Sequence, residues 1–560
     1  MKPKYIIIID VGSTFTKAHF VEDDLFVTQY AKTTVEKPAE DVMIGVRNAI
    51  RGIEEKTGRK FLDGDKIIIP FLATSSAGGG LQMLVAGLVR RITADSAERA
   101  ALSAGAIIMD VLAIDDGRTP YDKIGAINYL RPDMILFAGG EEGGAVSTVT
   151  GIAEIISMAK PKGRFVEKIP LVYAGNKDAR EFIQSTLGKV LDVYMTENVR
   201  PRIDIENPVP AREKIHELFM EHVMERAPGY EKLKELVSAP ILPTPGAMSR
   251  MVKNIAKNWH KNVLCVDLGG ATTDVFSCVN RVFNRTVSAN LGMSYSMGNV
   301  LHNAGVENVM RWIPPDIDED NIKDEVANKM LDPTKIPKDE VDMMIEEALA
   351  REAIRLAFRY HKNFAEAKRA AYLVDKFAST LRPKKSIPYV MAKVGRSEMK
   401  PIEVIIGSGG ALSYARKRED ALLILLDGLQ PTGITEMGLD NRFMLPHLGA
   451  LDQIHPDTAW DLFERFCFIP LATCIAPPGK VEYGKTVLHI RGDEDIRVSG
   501  GEILKKRLNG EYEIIFPGKK TMKIEIHGDA VLDGRGRPIR IPEEKSLRTK
   551  KLLEWRKALS

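Results

Sequence analysis

Two stretches of this chain, IIIIDVGSTFTK (6–17) and VLCVDLGGATTD (263–274), align residue for residue. Each has four apolar positions, Asp, an apolar residue, Gly, two small residues, a variable position and Thr. A near-repeat of this kind restricts the fold more than any bulk property, because it requires two similar units to begin in the same way. The apolar runs do not alternate with polar residues, as expected of strands buried on both faces in a parallel sheet. Each run nevertheless ends on a carboxylate, Asp10 or Asp267, followed by a turn rich in glycine and hydroxyls.

Alternation continues around both repeats. IIIID (6–10), KIIIPFLATSS (66–76), MILFAGG (134–140) and PLVYAGN (170–176) read as short strands, and LQMLVAGLVRRI (81–92) and AVSTVTGIAEIISMA (145–159) as helices. The order predicts parallel sheets covered by helices. We expect a first α/β lobe with an additional βα segment over 1–205 and a helical bridge over 206–260. A second α/β lobe spans 261–470 and closes on VIIGSGGALSYA (404–415), with a helical insert at 304–380. Short strands from about 471 to 560 predict a small β domain, ending in a basic helix, KSLRTKKLLEWRK (545–557), read as solvated.

A glycine turn at a strand end lets backbone N–H groups converge on an anion with no Cβ in the way. The hydroxyls of Ser13, Thr14 and Thr16 in the first turn, and of Thr272 and Thr273 in the second, can bond phosphate oxygens. A carboxylate beside phosphate needs a cation between them, and magnesium suits one or two carboxylates plus phosphate oxygens. One such turn alone is most simply a strand–turn–strand; two in matching positions point to the phosphates of a nucleoside triphosphate. The double glycine of VIIGSGGALSYA adds a turn able to lie against a nucleobase or ribose.

The order DVGSTFTK, DLGGATTD, IIGSGGA resembles the actin/hexokinase/heat-shock chaperone superfamily, whose motifs are two phosphate loops and an adenosine loop around Mg-ATP. More narrowly, DVGSTFTK, SSAGGGLQMLVAGLV (75–89), ILFAGGEEGG (135–144), PLVYAGN, TENVRP (196–201) and VDLGGATTDV (266–275) resemble the glutamate mutase accessory proteins, the MutL/GlmL family. The resemblance covers about the first 460 residues. It implies two actin/hexokinase-like (ribonuclease H-like) α/β lobes around a nucleotide cleft, plus the insert and the β domain. It implies that Asp10 and Asp267 hold magnesium through water, that Gly12, Ser13, Thr14, Gly269, Gly270, Ala271 and Thr272 cradle phosphates, and that Gly407, Ser408, Gly409 and Gly410 line the nucleoside site. Thr16, Lys17 and Thr273 join this set, Lys17 being equally readable as a strand-face lysine, and Asp274 could orient water. The partner implied is an adenosylcobalamin-dependent mutase, with the chain acting as a reactivating, chaperone-like ATPase. A small-molecule kinase, or an iron–sulfur activator of a 2-hydroxyacyl-CoA dehydratase, are the alternatives on the same fold.

Composition excludes rather than identifies. With 79 basic against 76 acidic residues the net charge is +3, which gives no reason to expect nucleic acid or an anionic membrane as partner. No apolar run approaches membrane-spanning length, no signal peptide precedes the first strand, and four cysteines make no disulfide framework, so a reducing cytoplasm is expected. Neither pair, Cys265 with Cys278 or Cys467 with Cys474, has zinc or iron–sulfur spacing. ATSSAGGG (73–80) is a further candidate anion turn. Glu141 and Glu142 in FAGGEEGG sit where α/β sheets bind ligands and suit a cationic or partner contact. HELFMEH (216–222) spaces its histidines too far around a helix to share a zinc.

Overall fold

The computed structural model describes residues 5–12, 14–23, 25–35, 39–76, 81–104, 106–163, 168–219, 228–288, 291–294, 296–314, 317–333, 335–337, 339–378, 402–518 and 521–560. Ser13 and residues 77–80 of the candidate anion turn lie outside that set. The chain divides into two compact units, Met1–Gly246 with Val287–Ala289, and Ala247–Thr286 with Asn290–Ser560.

In the first unit the strands are β1 (Tyr5–Val11), β2 (Phe15–Glu22), β3 (Leu25–Lys32), β4 (Phe71–Ser75), β5 (Leu81–Ala86), β6 (Ala106–Leu112), β7 (Met134–Phe137), β8 (Pro170–Tyr173), β9 (Asp192–Met195) and β10 (Leu242–Pro243). One sheet runs β10-β4-β1-β2-β3. There β1–β2–β3 form an antiparallel meander, and β4 joins β1 in parallel. Ile6–Ile9 are at most 3% exposed, and each contributes about 1.5–3 kcal/mol by burial, which is why this run takes the central strand. Helix α1 (Val42–Thr57) covers one face through Val42, Val46, Ala49, Ile50 and Ile53. Its ends are set by Asp41, which accepts from Met43 N at 2.8 Å, and by Gly58 in the left-handed region.

A second sheet in this unit, β9-β8-β7-β5-β6, is parallel throughout. Counted from its own first strand its order is 2-1-3-4-5, a doubly wound arrangement. Helix α2 (Asp95–Ala104) and α6 (Val209–Phe219, through Ala211, Ile215 and Leu218) pack on one face, and α3 (Pro120–Leu130), α4 (Val146–Ala159) and α5 (Arg180–Leu187) on the other. The helix expected at 81–92 is a correction: Leu81–Ala86 is strand β5, followed by a π-helical turn at Arg90–Ala94. Leu81, Met83, Leu84, Val85 and Ala86 are all buried to within 1%, and a short run apolar on both faces is a strand between two parallel neighbours as readily as a buried helix.

The second unit is built on a ten-stranded sheet. Its strands are β11 (Val263–Leu268), β12 (Thr273–Val279), β13 (Val282–Ser288), β14 (Val404–Ser408), β15 (Gly433–Asp440), β16 (Phe468–Ala476), β17 (Thr486–Arg491), β18 (Asp495–Ser499), β19 (Ile503–Ile515) and β20 (Met522–Asp533). Their order is β13-β12-β11-β14-β15-β16-β20-β19-β17-β18. The first five repeat the order of the first unit's meander sheet, with β11–β12 antiparallel and β11–β14–β15 parallel. Two copies of this 3-2-1-4-5 order are the actin/hexokinase-like fold.

The helical insert appears as α7 (Glu319–Leu331) and the long α8 (Glu340–Ala378); α9 (Arg418–Leu429) follows β14. The strands expected after 470 are present and continue the main sheet, β16 pairing in parallel with β20. The C-terminal helix α10 (Lys545–Leu559) is not merely solvated: Trp555 and Leu559 are buried, and Trp555 Nε1 donates to Gly501 O at 3.0 Å. A buried ionic cluster underlies this region. Arg535, fully buried, bonds Asp533 at 2.9 Å and Asp427 at 2.7 Å, and Arg351 meets Asp427 at 2.8 Å. Among the described residues no helix is long and apolar enough to cross a membrane.

Candidate functional site

Over their described residues the two Asp-headed segments share strand pairing and a turn hydrogen bond. In each, the backbone N–H two residues after the Asp donates to the carbonyl three further on: Gly12 N to Phe15 O at 3.1 Å, Gly269 N to Thr272 O at 2.9 Å. In each, the Asp stands opposite the residue seven places later, Asp10 against Lys17 and Asp267 against Asp274. On its other side each Asp is in parallel register with a hydroxyl residue, Thr74 on β4 or Ser408 on β14. The sequence echo is thus a repeated three-strand corner: the carboxylate at a strand's carboxyl end, a tight turn beyond it, and a hydroxyl beside it.

In the first unit Asp10 is 1% exposed, and Thr74 Oγ1 (2.7 Å) and Thr244 Oγ1 (2.6 Å) both donate to its Oδ1. These bonds fix the carboxylate by one oxygen and leave Oδ2 outside them. Gly12 is required here, since a Cβ would lie 2.7 Å from Phe15 O. Thr33 Oγ1 braces the turn by donating to Gly12 O at 2.8 Å and contacting Thr16 Oγ1 at 3.1 Å, so Thr16 is part of the turn's support. Lys17, in register with Asp10, is half-buried on β2.

In the second unit the turn Gly269–Thr272 is held from behind by a loop the sequence did not single out. Met293 N donates to Gly269 O at 3.0 Å and Ser294 N to Gly270 O at 2.8 Å. Gly292 allows this approach, because a Cβ there would fall 2.4 Å from Gly270 O. Thr273 Oγ1 is tied to Leu291 O in the same loop. Asp274 is buried and paired with Arg285 at 3.2 Å, and Thr272 Oγ1 donates to it at 3.2 Å. Burial raises the Asp274 pKa despite the guanidinium.

The double-glycine loop passes directly against Asp267. A Cβ on Gly409 would lie 2.3 Å from Leu268 O and 2.6 Å from Asp267 Oδ1, and its φ of +92° belongs to glycine. Gly410 has open space about its Cβ position. Gly407 has a packing reason instead, since Leu425 Cδ1 would be 2.8 Å from a Cβ there. Ser408 Oγ donates to Asp440 Oδ2 at 2.6 Å, and Asp440 also accepts from Met444 N at 2.6 Å and Cys467 Sγ at 3.3 Å. Desolvation raises the Asp440 pKa to about 6.

Among the described residues the buried Ser and Thr hydroxyls without a hydrogen-bond partner are Thr14, Ser294 and Ser413. One lies in the first turn, one in the loop backing the second turn, and one at the end of the helical turn Gly410–Ser413. Buried hydroxyls are ordinarily bonded, so each of these orphans is in its own loop a group that a ligand could bond. Each carboxylate taken by itself, Asp10 or Asp267, offers the hard oxygen that magnesium takes.

Other expectations resolve differently. Glu141 and Glu142 are engaged by the protein itself, with Ile203 N donating to Glu141 at 3.2 Å and Asn198 Nδ2 to Glu142 at 2.9 Å. The four cysteines are free and buried. Burial pushes the Cys474 thiol up to about 12 and raises those of Cys265 and Cys467 well above the ordinary value, so they stay protonated core thiols. Thr244, Ser294 and Asp440 escaped the sequence reading, and Thr74 and Ser413 fell inside quoted turns without being named. Asp440 alone carried a signal, being a third buried strand that ends on Asp.

A family model described as MutL protein matches residues 6–467. "Protein MutL" of Clostridium tetanomorphum is 28% identical over 493 residues, covering 82% of this chain and 98% of that protein. Component A of (R)-2-hydroxyglutaryl-CoA dehydratase from Acidaminococcus fermentans overlaps 81% of this chain and 99% of its own at 10% identity and a TM-score of 0.26. The gluconate kinase of Lactobacillus acidophilus overlaps 84% and 93% at 12% identity and a TM-score of 0.30. The fold is carried by the strand order and register above, not by these two overlaps. With the family model spanning most of its length, the chain belongs to the MutL protein family.

Proposed function

We propose that this chain binds Mg-ATP through its two Asp-headed turns, hydrolyses it slowly, and serves as an accessory protein to an adenosylcobalamin-dependent mutase of the glutamate mutase kind. The observation that carries the nucleotide half is the repeated corner: one register, one turn geometry and one adjacent hydroxyl, with an unbonded buried hydroxyl on each of three loops. The fixed backbone N–H groups and hydroxyls bind and orient phosphate. Asp10 and Asp267 would hold magnesium through its waters, and the metal would supply charge neutralisation to the phosphates. Asp274, held by Arg285, would orient a water at the second turn. Thr74 and Thr244 keep Asp10 in one rotamer, so the site is organised before ligand arrives.

The partner half rests on family kinship, and its output would be a conformational change that helps the mutase shed damaged cobalamin. Co-purification of the chain with such a mutase, in Mg-ATP and in Mg-ADP, tests it. Association that differs between the two nucleotides is expected. Identical recovery under both would remove the switch, and phosphate appearing on an added sugar would favour a kinase instead.

A further inference from the structure

Beside the double-glycine loop the backbone does something costly. Among the described non-glycine residues, two consecutive pairs lie in the left-handed region, Asn280–Arg281 and Arg442–Phe443. The first is the tight turn of the β12–β13 hairpin, where two left-handed residues are the rule. The second, with φ of 58° and 59°, is in no hairpin and includes a buried aromatic residue, for which this conformation is a true outlier. The surroundings enforce it. Asp440 accepts from Met444 N and Leu445 N just beyond the pair, Asn441 Nδ2 donates to Phe466 O at 3.1 Å, and Tyr414 OH donates to Arg442 O at 3.2 Å.

That last bond ties the strained pair to the helical turn holding the unbonded Ser413 hydroxyl, and Ser408 Oγ ties Asp440 to the loop's other end. Arg442 itself is exposed, and its guanidinium makes no hydrogen bond, ion pair or ring contact with the described residues. Backbone strain held in place by its neighbours clusters at ligand clamps and active sites, and here it presents an exposed guanidinium.

We infer that the turn Asp440–Phe443 forms a second wall of the nucleoside end of the site, with Arg442 binding the base or ribose of the nucleotide and Ser413 adding a hydroxyl. This rests on the nucleotide reading above and extends it to Arg442, which lies in no motif, and to the unassigned hydroxyl of Ser413. A guanidinium can stack on a nucleobase, bond ribose oxygens or bond phosphate, and it is the tie of this turn to the double-glycine loop, through Tyr414 and Ser408, that assigns Arg442 to the nucleoside.

The test is equilibrium binding of Mg-ATP, Mg-ADP and magnesium tripolyphosphate to wild type, Arg442→Gly and Arg442→Lys. Glycine adopts φ near 58° freely, so Arg442→Gly removes the side chain without threatening the fold. Arg442→Gly is expected to weaken ATP and ADP alike by about tenfold, to leave tripolyphosphate within about twofold, and to melt no lower than wild type. Arg442→Lys is expected to recover only part of the loss. Wild-type affinity for ATP in Arg442→Gly overturns the inference, as does an equal loss for tripolyphosphate, which would place Arg442 at the phosphates. Wild type binding none of the three would defeat the nucleotide reading itself, a result distinct from either.

Discussion

Alanine at Gly409 is the sharpest perturbation of the proposed site. Gly409 sits at φ 92°, ψ 163°, a region essentially reserved for glycine, where another residue costs about 1–3 kcal/mol. The added Cβ also meets Leu268 O at 2.3 Å and Asp267 Oδ1 at 2.6 Å, and the first neighbour is backbone that cannot swing aside. Relief requires a shift of several tenths of an ångström in the loop or the β11 terminus, at the roughly 1–3 kcal/mol typical of overpacking. The two together give about 2–6 kcal/mol, taken from the unit that holds the second turn. Because the displaced atoms include Asp267, nucleotide affinity should fall by about tenfold or more, equivalent to about 1.4 kcal/mol. Urea unfolding with calorimetric titration of Mg-ATP measures both. A Gly409→Ala protein with wild-type midpoint and affinity would refute the claim that this loop is pressed against the Asp267 carboxylate.

Asp440 gives a pH signature. Its folded pKa of about 6 lies above the ordinary 3.8, so between those values the native state keeps a proton the unfolded chain has released. Stability from this group therefore falls as pH rises through that window, by about 3 kcal/mol for a shift of about two units, and denaturation of wild type against Asp440→Asn should show that slope only in wild type. A slope of opposite sign in the difference would contradict the buried-acid account. Arg535→Ala should destabilise by about 3–5 kcal/mol, since it leaves Asp533 and Asp427 buried with their shared cation removed; a loss below about 1 kcal/mol by urea unfolding would show that Arg351 and Arg537 suffice.

What could be read in advance follows from how local each feature is. The Asp-headed turns were legible because strand, glycine and hydroxyls are contiguous, and their shared register followed from matching spacing. Asp10's supports were not, for Thr74 and Thr244 reach it from 64 and 234 residues away, and no local pattern marks a threonine as a carboxylate clamp. The β5 segment misled because hydrophobicity on both faces erases the period that separates helix from strand. The continuation of the sheet through β16 and β20 was hidden similarly: short strands and turns look alike whether they found a new core or extend an old one. Gly407, a glycine of the motif, also has a packing reason that no local pattern shows, the closeness of Leu425 and Leu439.

Binding of ATP by wild type, Asp10→Asn and Asp267→Asn, with and without magnesium, meets the central claim head-on. The account predicts magnesium-dependent binding in wild type and a loss of about ten- to a hundredfold in each variant, with circular dichroism unchanged. Undiminished magnesium-dependent affinity in either variant would contradict it.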